Sequence, residues 1–186
     1  MTGPIVAVFG SSKVLRDDAV WGEAERLGRL LVLAGAQVAT GGYAGLMEAV
    51  SAGAAAAGGR PIGVTAPSVF PGRAGANGYV AREIPAPTLP QRIARIVEIA
   101  DASVALPGSI GTLAELLVAW NDAFVAPFRG AAPRPVVAVG STWRLLIDQI
   151  GGSTGADTRF VTCVDEVDAV VPVLAAAVPG ITGSME

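Results

Sequence analysis

The residues best suited to chemistry lie in the stretch 106–115, which reads Leu-Pro-Gly-Ser-Ile-Gly-Thr-Leu-Ala-Glu. The apolar run 102–106 predicts a buried strand, and a helical pattern follows at 113–124. A glycine-rich turn between a strand and a helix brings backbone N–H groups close to a ligand, and the helix N-terminus adds partial positive charge. Glu115 stands at the start of this helix. The pattern therefore predicts an anion-binding turn beside a carboxylate, as a pocket for a nucleotide or a sugar phosphate requires.

Glu115 has two compatible interpretations. Thr112 and Glu115 fit a capping box, in which the two side chains satisfy free amides at a helix start. A carboxylate in the first helical turn is also held ionised by the field of the helix. Such a group can stabilise an oxocarbenium ion or activate a water molecule.

Two arginines, Arg92 and Arg95, lie one turn apart in the predicted helix 89–100 and are expected to share a face. Thr88 and Gln91 form a second capping-box pattern, which puts Arg92 near the start of that helix. The arginines either form a solvated face or use a guanidinium group to bind phosphate or ribose oxygens.

Two more glycine-rich turns follow predicted strands. Gly10, Ser11 and Ser12 come after the strand 5–9, and the sequence Thr-Gly-Gly-Tyr-Ala-Gly at 40–45 opens a helix. The second turn matches neither the dinucleotide fingerprint nor a P-loop. Its Tyr43 either stacks on a base or caps the loop.

Short β-branched runs alternate with longer helical stretches along the whole chain. Strands are predicted at 5–9, 37–40, 61–65, 79–84, 102–106, 135–139 and 160–164, and helices at 17–34, 46–57, 89–100, 113–124, 143–150 and 167–177. This order predicts an α/β, Rossmann-like, doubly wound and mostly parallel sheet with helices on both faces. Ligands bind such sheets at the carboxyl ends of the strands, so the three turns are expected to meet at one edge.

Composition limits the possible functions. The chain has 186 residues, of which 52% are hydrophobic, and no break in composition divides it, so one domain is expected over 1–186. The net charge of −3 argues against nucleic acid as a partner. The absence of histidine excludes a Ser-His triad and an imidazole-ligated metal. One cysteine, Cys163, forms no internal disulfide or metal cluster.

No metal is expected, because the chain has no histidine and one cysteine. No cofactor is expected, since a pyridoxal-phosphate site would have to rely on Lys13, the one lysine. The N-terminus lacks the charged start of a secretory signal. Charged residues, Gly or Pro interrupt every apolar window before the roughly 18 residues that a membrane span needs. We therefore expect a cytoplasmic protein with no membrane partner.

Four motifs in order resemble the LOG-like family of cytokinin riboside 5′-monophosphate phosphoribohydrolases, also labelled possible lysine decarboxylases. They are the strand and turn 6–12, the Gly-Gly-x-x-Gly-Leu-Met run at 41–47, the pair 91–92, and the stretch 107–115. The resemblance covers about residues 6–135 and implies a Rossmann-like dimer that releases a free base and ribose 5-phosphate from AMP or N6-modified AMP. By position, Arg92 and Glu115 match the family's catalytic pair. The resemblance and the turns together give a phosphate- and substrate-binding set: Gly10, Ser11, Ser12, Gly41, Gly42, Gly45, Met47, Gly108, Ser109, Gly111 and Thr112.

The chain departs from the family pattern at Ser109, Glu48, Ile93 and Ala114. With these differences, the chain resembles a divergent branch of the family, which is related to DNA-processing protein A and to molybdenum-cofactor carrier proteins. Two functions follow as hypotheses: a phosphoribohydrolase acting on a nucleoside monophosphate, or a non-catalytic protein that holds a nucleotide or a molybdopterin-type phosphate ligand. A homodimer is expected, since the helices at 89–100 and 113–124 are apolar around much of their circumference.

Overall fold

A computed structural model describes residues 3–70, 72 and 75–183. Its strands are β1 Ile5–Phe9, β2 Gln37–Thr40, β3 Ile62–Thr65, β4 Arg82–Pro85, β5 Ala102–Ala105, β6 Val136–Val139 and β7 Val161–Val164. In the described part of the chain they form one sheet in the order β4-β3-β2-β1-β5-β6-β7. Every pair is parallel, and Val8 of β1 lies opposite Thr40 on one side and Val104 on the other. The predicted α/β, Rossmann-like class is confirmed.

Six α-helices cover the sheet in the described residues: α1 Ala19–Leu33, α2 Leu46–Ala56, α3 Leu89–Ile99, α4 Ile110–Val125, α5 Ser141–Thr154 and α6 Val170–Ala175. One core contains Val6 and Val8 of β1 together with α1, α2 and α6. The other contains Ala7 and Phe9 together with α3, α4 and α5. Both faces of the strands are therefore buried, which explains why they read as continuous apolar runs. No described helix has both the length and the hydrophobicity needed to cross a bilayer.

Several element bounds differ from the sequence prediction. Helix α4 begins at Ile110 and not at 113, because the extended residue Ser109 is its N-cap and the Leu113 N–H donates to the Ser109 carbonyl at 3.0 Å. The pattern missed this turn because Gly111 and Thr112 are weak helix formers. The predicted strand 79–84 is β4, displaced to Arg82–Pro85. The predicted helix 167–177 starts as the 3-10 turn Val167–Ala169 and continues as α6.

Two glycines allow α1 and α2 to approach each other closely. A Cβ at Gly28 would overlap the carbonyl oxygen of Val50, and a Cβ at Gly53 would overlap that of Glu25. The close contact fixes the position of α2 on the sheet. The first turn of α2 carries Met47, which is thereby held at the carboxyl edge of the sheet.

Candidate active site

The three glycine-rich turns meet where the strand order reverses, between β1 and β5. The Ser11 N–H donates to the Pro107 carbonyl at 3.1 Å, and the Leu46 N–H donates to the Ser11 carbonyl at 2.8 Å. Trp143 donates from its indole Nε1 to the Leu106 carbonyl at 3.0 Å, which holds the end of β5. The predicted convergence is confirmed, and it occurs where doubly wound sheets bind ligands.

A cleft of about 290 Å³ opens at this edge between α3 and α4. The predicted site residues that line it are Gly10, Ser12, Met47, Arg92, Ser109, Gly111, Thr112 and Glu115. The predicted site residues that do not line it are Ser11, Gly41, Gly42, Gly45 and Gly108. One end of the cleft is thus the N-terminal turn of α4, and its floor holds the Arg92 and Glu115 side chains.

The N-terminal turn of α4 presents backbone amides to the cleft. Because the bond from Leu113 to Ser109 is the first of the helix, the N–H groups of Ile110, Gly111 and Thr112 have no acceptor within it. Ser109 makes no side-chain capping bond to these amides. A Cβ at Gly111 would meet no atom within 4 Å, so the space in front of the turn is open. This geometry is typical of anion-binding helix starts.

The other glycines of the predicted phosphate site have packing roles. A Cβ at Gly108 would overlap the Thr112 hydroxyl, and a Cβ at Gly45 would overlap the Ser11 carbonyl oxygen. Gly42 and Gly45 have φ of +76° and +72°, which L side chains rarely adopt. The Leu46 amide at the start of α2 is already bonded to Ser11. Phosphate binding by the turn 41–45 stays a prediction.

Arg92 and Glu115 form a buried ion pair at the floor of the cleft. Arg92 Nη1 donates to Glu115 Oε1 at 2.9 Å, and each side chain is 8% exposed. Arg92 Nε donates to the Val64 carbonyl at 2.9 Å, and Nη2 lies 3.8 Å from the Met47 Sδ. The guanidinium carbon lies 5.8 Å from the ring centroid of Tyr43. Five elements therefore meet around one cation.

Burial raises the pKa of the Glu115 carboxyl above its usual range, and the charge and hydrogen bond of Arg92 oppose this rise. The predicted capping box of Thr112 and Glu115 is wrong. Ser109 is the N-cap of α4, which places Thr112 inside the first turn and directs Glu115 toward Arg92.

The predicted common face of Arg92 and Arg95 is also wrong. Arg92 faces the sheet and is buried, whereas Arg95 is exposed and pairs with Glu98 at 2.8 Å. Three helical steps of about 100° each leave the two side chains about 60° apart around the helix axis. This angle is enough to put Arg95 on the solvent side. The predicted cap is present, since the Thr88 hydroxyl accepts from the Gln91 N–H at 3.3 Å.

Glu48, the second carboxylate near the glycine turns, does not line the cleft. It pairs with Arg16 at 2.6 Å. The Arg16 guanidinium lies 5.3 Å from the ring centroid of Trp21 and 6.0 Å from that of Tyr79. The charge of Glu48 is thus neutralised outside the anion-binding turn.

Five apolar residues of the cleft were not among the predicted site residues: Phe70, Leu89, Ile93, Ile110 and Ala114. Tyr43 also lines the cleft, and it fits the loop-capping interpretation. Its hydroxyl accepts from the Ala66 N–H at 2.8 Å, and its ring packs edge-on against Phe70 at 5.4 Å between centroids. The only signal for Phe70 was an isolated aromatic residue in the loop 66–78, rich in Pro and Gly.

The sheet order and the cleft at its switch point define an α/β protein with a Rossmann-like fold. Residues 3–126 match the model of the SLOG cluster4 family, and the chain belongs to that family.

A relative in sequence is the cytokinin riboside 5′-monophosphate phosphoribohydrolase of Mycobacterium tuberculosis. It is 34% identical over 99 residues, which are 53% of this chain and 50% of the relative. The chain thus matches about half the length of this curated relative.

Three solved structures share the fold. A molybdenum cofactor binding protein from Rippkaea orientalis has a TM-score of 0.75 at 23% identity, with 95% of this chain and 98% of the other covered. A molybdenum cofactor carrier protein from Chlamydomonas reinhardtii has a TM-score of 0.70 at 24% identity, with 94% and 99% covered. DNA processing protein A from Helicobacter pylori has a TM-score of 0.62 at 13% identity, with 95% and 82% covered.

Proposed function

We propose that this protein is a nucleoside 5′-monophosphate phosphoribohydrolase, which hydrolyses the N-glycosidic bond of AMP or N6-modified AMP. The observation that carries the proposal is the arrangement on α4. The free amides of Gly111 and Thr112 open the helix, and Glu115 follows on the same side one turn later. An anion site and a buried carboxylate therefore share one cleft, separated by about 6 Å of helix rise.

The proposed reaction assigns each part of the cleft a task. The amides of α4 hold the 5′-phosphate, and the ribose lies over Glu115. The bond from C1′ to the base nitrogen breaks, and its electron pair leaves with the base. Glu115 stabilises the positive charge that develops at C1′, or it positions the water that adds there. The water supplies the hydroxyl of ribose 5-phosphate and the proton that the departing base takes up.

Incubation of the protein with AMP and with N6-isopentenyl-AMP, followed by chromatography for free base, tests the proposal. Base and ribose 5-phosphate are expected in equal amounts from the wild type and not from Glu115→Gln. Glu98→Gln is the matched control, because Glu98 is an exposed glutamate paired with Arg95 outside the cleft. Base release that persists in Glu115→Gln would remove this mechanism.

A second candidate function is a non-catalytic carrier of a nucleotide or a molybdopterin-type phosphate ligand. It is supported by the similarity to a molybdenum cofactor binding protein and a carrier protein along nearly the whole chain. The cleft again supplies the helix amides for a phosphate, and Ser109 replaces a glycine of the phosphoribohydrolase pattern. Calorimetry that finds tight binding of AMP, together with no base release over hours, would favour this function.

A nucleic-acid ligand is the least favoured candidate. A likeness to DNA processing protein A concerns the fold. Strong binding of single strands needs a groove of positive charge, and this chain has a net charge of −3. A gel-shift assay with single-stranded DNA at low salt should show no complex.

We further propose that the protein is a homodimer joined through α4. Its outward face carries the uncharged residues Leu117, Val118 and Phe124, which are 37%, 40% and 41% exposed. Helix α3, in contrast, exposes the charged pair of Arg95 and Glu98. Light scattering should give twice the monomer mass for the wild type and for Leu145→Asp, which changes an exposed leucine on α5. Val118→Asp should give the monomer mass.

A further inference from the structure

We infer that Arg92 is a positioning residue that acts through Glu115, and that it does not bind the phosphate of the substrate. The inference deepens the proposed function and rests on it for the identity of the substrate. Its structural basis is the way the protein itself occupies the donors of the guanidinium group.

Each nitrogen of Arg92 faces a different part of the protein. Nε donates to the Val64 carbonyl at the end of β3, Nη1 to Glu115 on α4, and Nη2 to the Met47 sulfur on α2. Recognition of a phosphate by arginine commonly uses two parallel N–H groups on one edge of the guanidinium. Here Nε and one N–H of each terminal nitrogen already bond within the protein, which takes three of the five N–H groups, and the side chain is 8% exposed.

The surroundings also fix the plane of the guanidinium. Tyr43 lies 5.8 Å from its central carbon. Gly41 lies so close to Nη2 that a Cβ at this position would overlap it. Rotation of the group toward the anion-binding turn of α4 would break its bond to Val64 and its bond to Glu115. The packing therefore favours one orientation, in which the cation is aimed at the carboxylate.

This orientation gives Glu115 a defined geometry and charge. Arg92 holds Oε1, while Oε2 has no hydrogen-bond partner among residues 3–70, 72 and 75–183. Arg92 is the one charged group in the described chain that acts on this carboxyl, and Tyr43 is the other titratable group beside the pair. Without the cation, burial is unopposed, so the carboxyl takes up a proton at higher pH and can no longer stabilise positive charge at C1′.

The experiment compares the wild type with Arg92→Gln, Arg92→Lys and Arg95→Gln. The Glu115 carboxyl is titrated in the ligand-free protein by NMR with ¹³C-labelled glutamate, with Glu115→Gln providing the assignment. Affinity for ribose 5-phosphate is measured by calorimetry, and base release from AMP is measured in parallel. Arg95→Gln is the matched control, since it removes an exposed arginine one turn away on the same helix.

In Arg92→Gln we expect the Glu115 carboxyl to titrate about one pH unit or more above the wild type. The affinity for ribose 5-phosphate should stay within about threefold, whereas loss of a direct charged contact with phosphate would cost at least about tenfold. Arg92→Lys keeps the charge with fewer donors and should give a titration between the two. It also provides the test if Arg92→Gln does not fold.

An unchanged Glu115 titration in both Arg92 variants would overturn the inference, as would a tenfold loss of ribose 5-phosphate affinity. Failure of the proposed function has a different signature. In that case the wild type releases no base, while the carboxyl titration still responds to Arg92 and supports the positioning role.

Discussion

Gly41 packs directly against the Nη2 atom of Arg92, and a Cβ at this glycine would overlap the guanidinium group. The absence of a side chain at Gly41 thus leaves space for an arginine that is 51 residues away in the sequence. Its φ is not in the positive range, so the requirement is for space and not for an unusual backbone conformation. The predicted phosphate-binding glycine is, in the described structure, a neighbour of the buried ion pair.

Gly41→Ala should therefore displace Arg92 and disturb the pair. We expect the free energy of unfolding to fall by about 1–3 kcal/mol, which is typical of overpacking in a close-packed interior. Base release should fall with it. Gly22→Ala is the control, because a Cβ there meets no atom within 4 Å and should raise stability by about 0.5–1 kcal/mol in the interior of α1. Urea denaturation measures both changes.

The ion pair of Arg92 and Glu115 is expected to be needed for activity but to add little to the free energy of unfolding. Arg92→Met and Glu115→Leu should each destabilise the protein by about 3–5 kcal/mol, because each leaves a buried charge without its partner. The double variant replaces the pair by apolar side chains and should regain most of that loss while remaining inactive. A double variant as unstable as the sum of the single ones would show that the pair itself stabilises the fold.

The raised pKa of Glu115 gives a sign for the pH dependence of stability. The native state holds the proton to a higher pH than the unfolded state, so the contribution of Glu115 to the free energy of unfolding is most favourable below the unfolded pKa. It declines as the pH rises to the native pKa. The unfolding free energy of the wild type minus that of Glu115→Gln should therefore decrease with rising pH over this window. A difference that increases over the same window would contradict the raised pKa.

Catalysis should show the opposite trend, since the proposed reaction needs the carboxylate. The acid limb of kcat/KM for AMP should lie at a higher pH than the usual range of a glutamate, because burial raises the Glu115 pKa. A profile of initial rates between pH 4 and pH 8 in a constant-ionic-strength buffer measures it. An acid limb in the ordinary glutamate range would assign the titration to another group.

Gly111→Asp should separate stability from ligand binding. A Cβ at Gly111 meets open space, so the variant is expected to fold. A negative charge in the first turn of α4 should stabilise the helix by about 0.3–1 kcal/mol. The same charge would repel a bound phosphate and should weaken AMP binding by at least about tenfold, as measured by calorimetry. Gly111→Asn adds nearly the same volume without the charge and should lose much less affinity.

The sequence alone determined the α/β class, the parallel sheet and the meeting of three turns at one edge. These follow from short-range information, because strand and helix periodicity are local and because parallel strands joined by helices send all their carboxyl ends the same way. Arg92 and Glu115 were paired only through the family resemblance, as matches to its catalytic arginine and glutamate.

Only the tertiary structure decided what these residues contact. The capping box at Thr112 and Glu115 and the common face of Arg92 and Arg95 were reasonable local patterns, and both were wrong. The partners that overruled them, Val64, Met47 and Gly41, come from distant segments that no local pattern connects to α3 or α4. A buried cation must find its acceptors wherever the packing of the core brings them, and that depends on the whole fold.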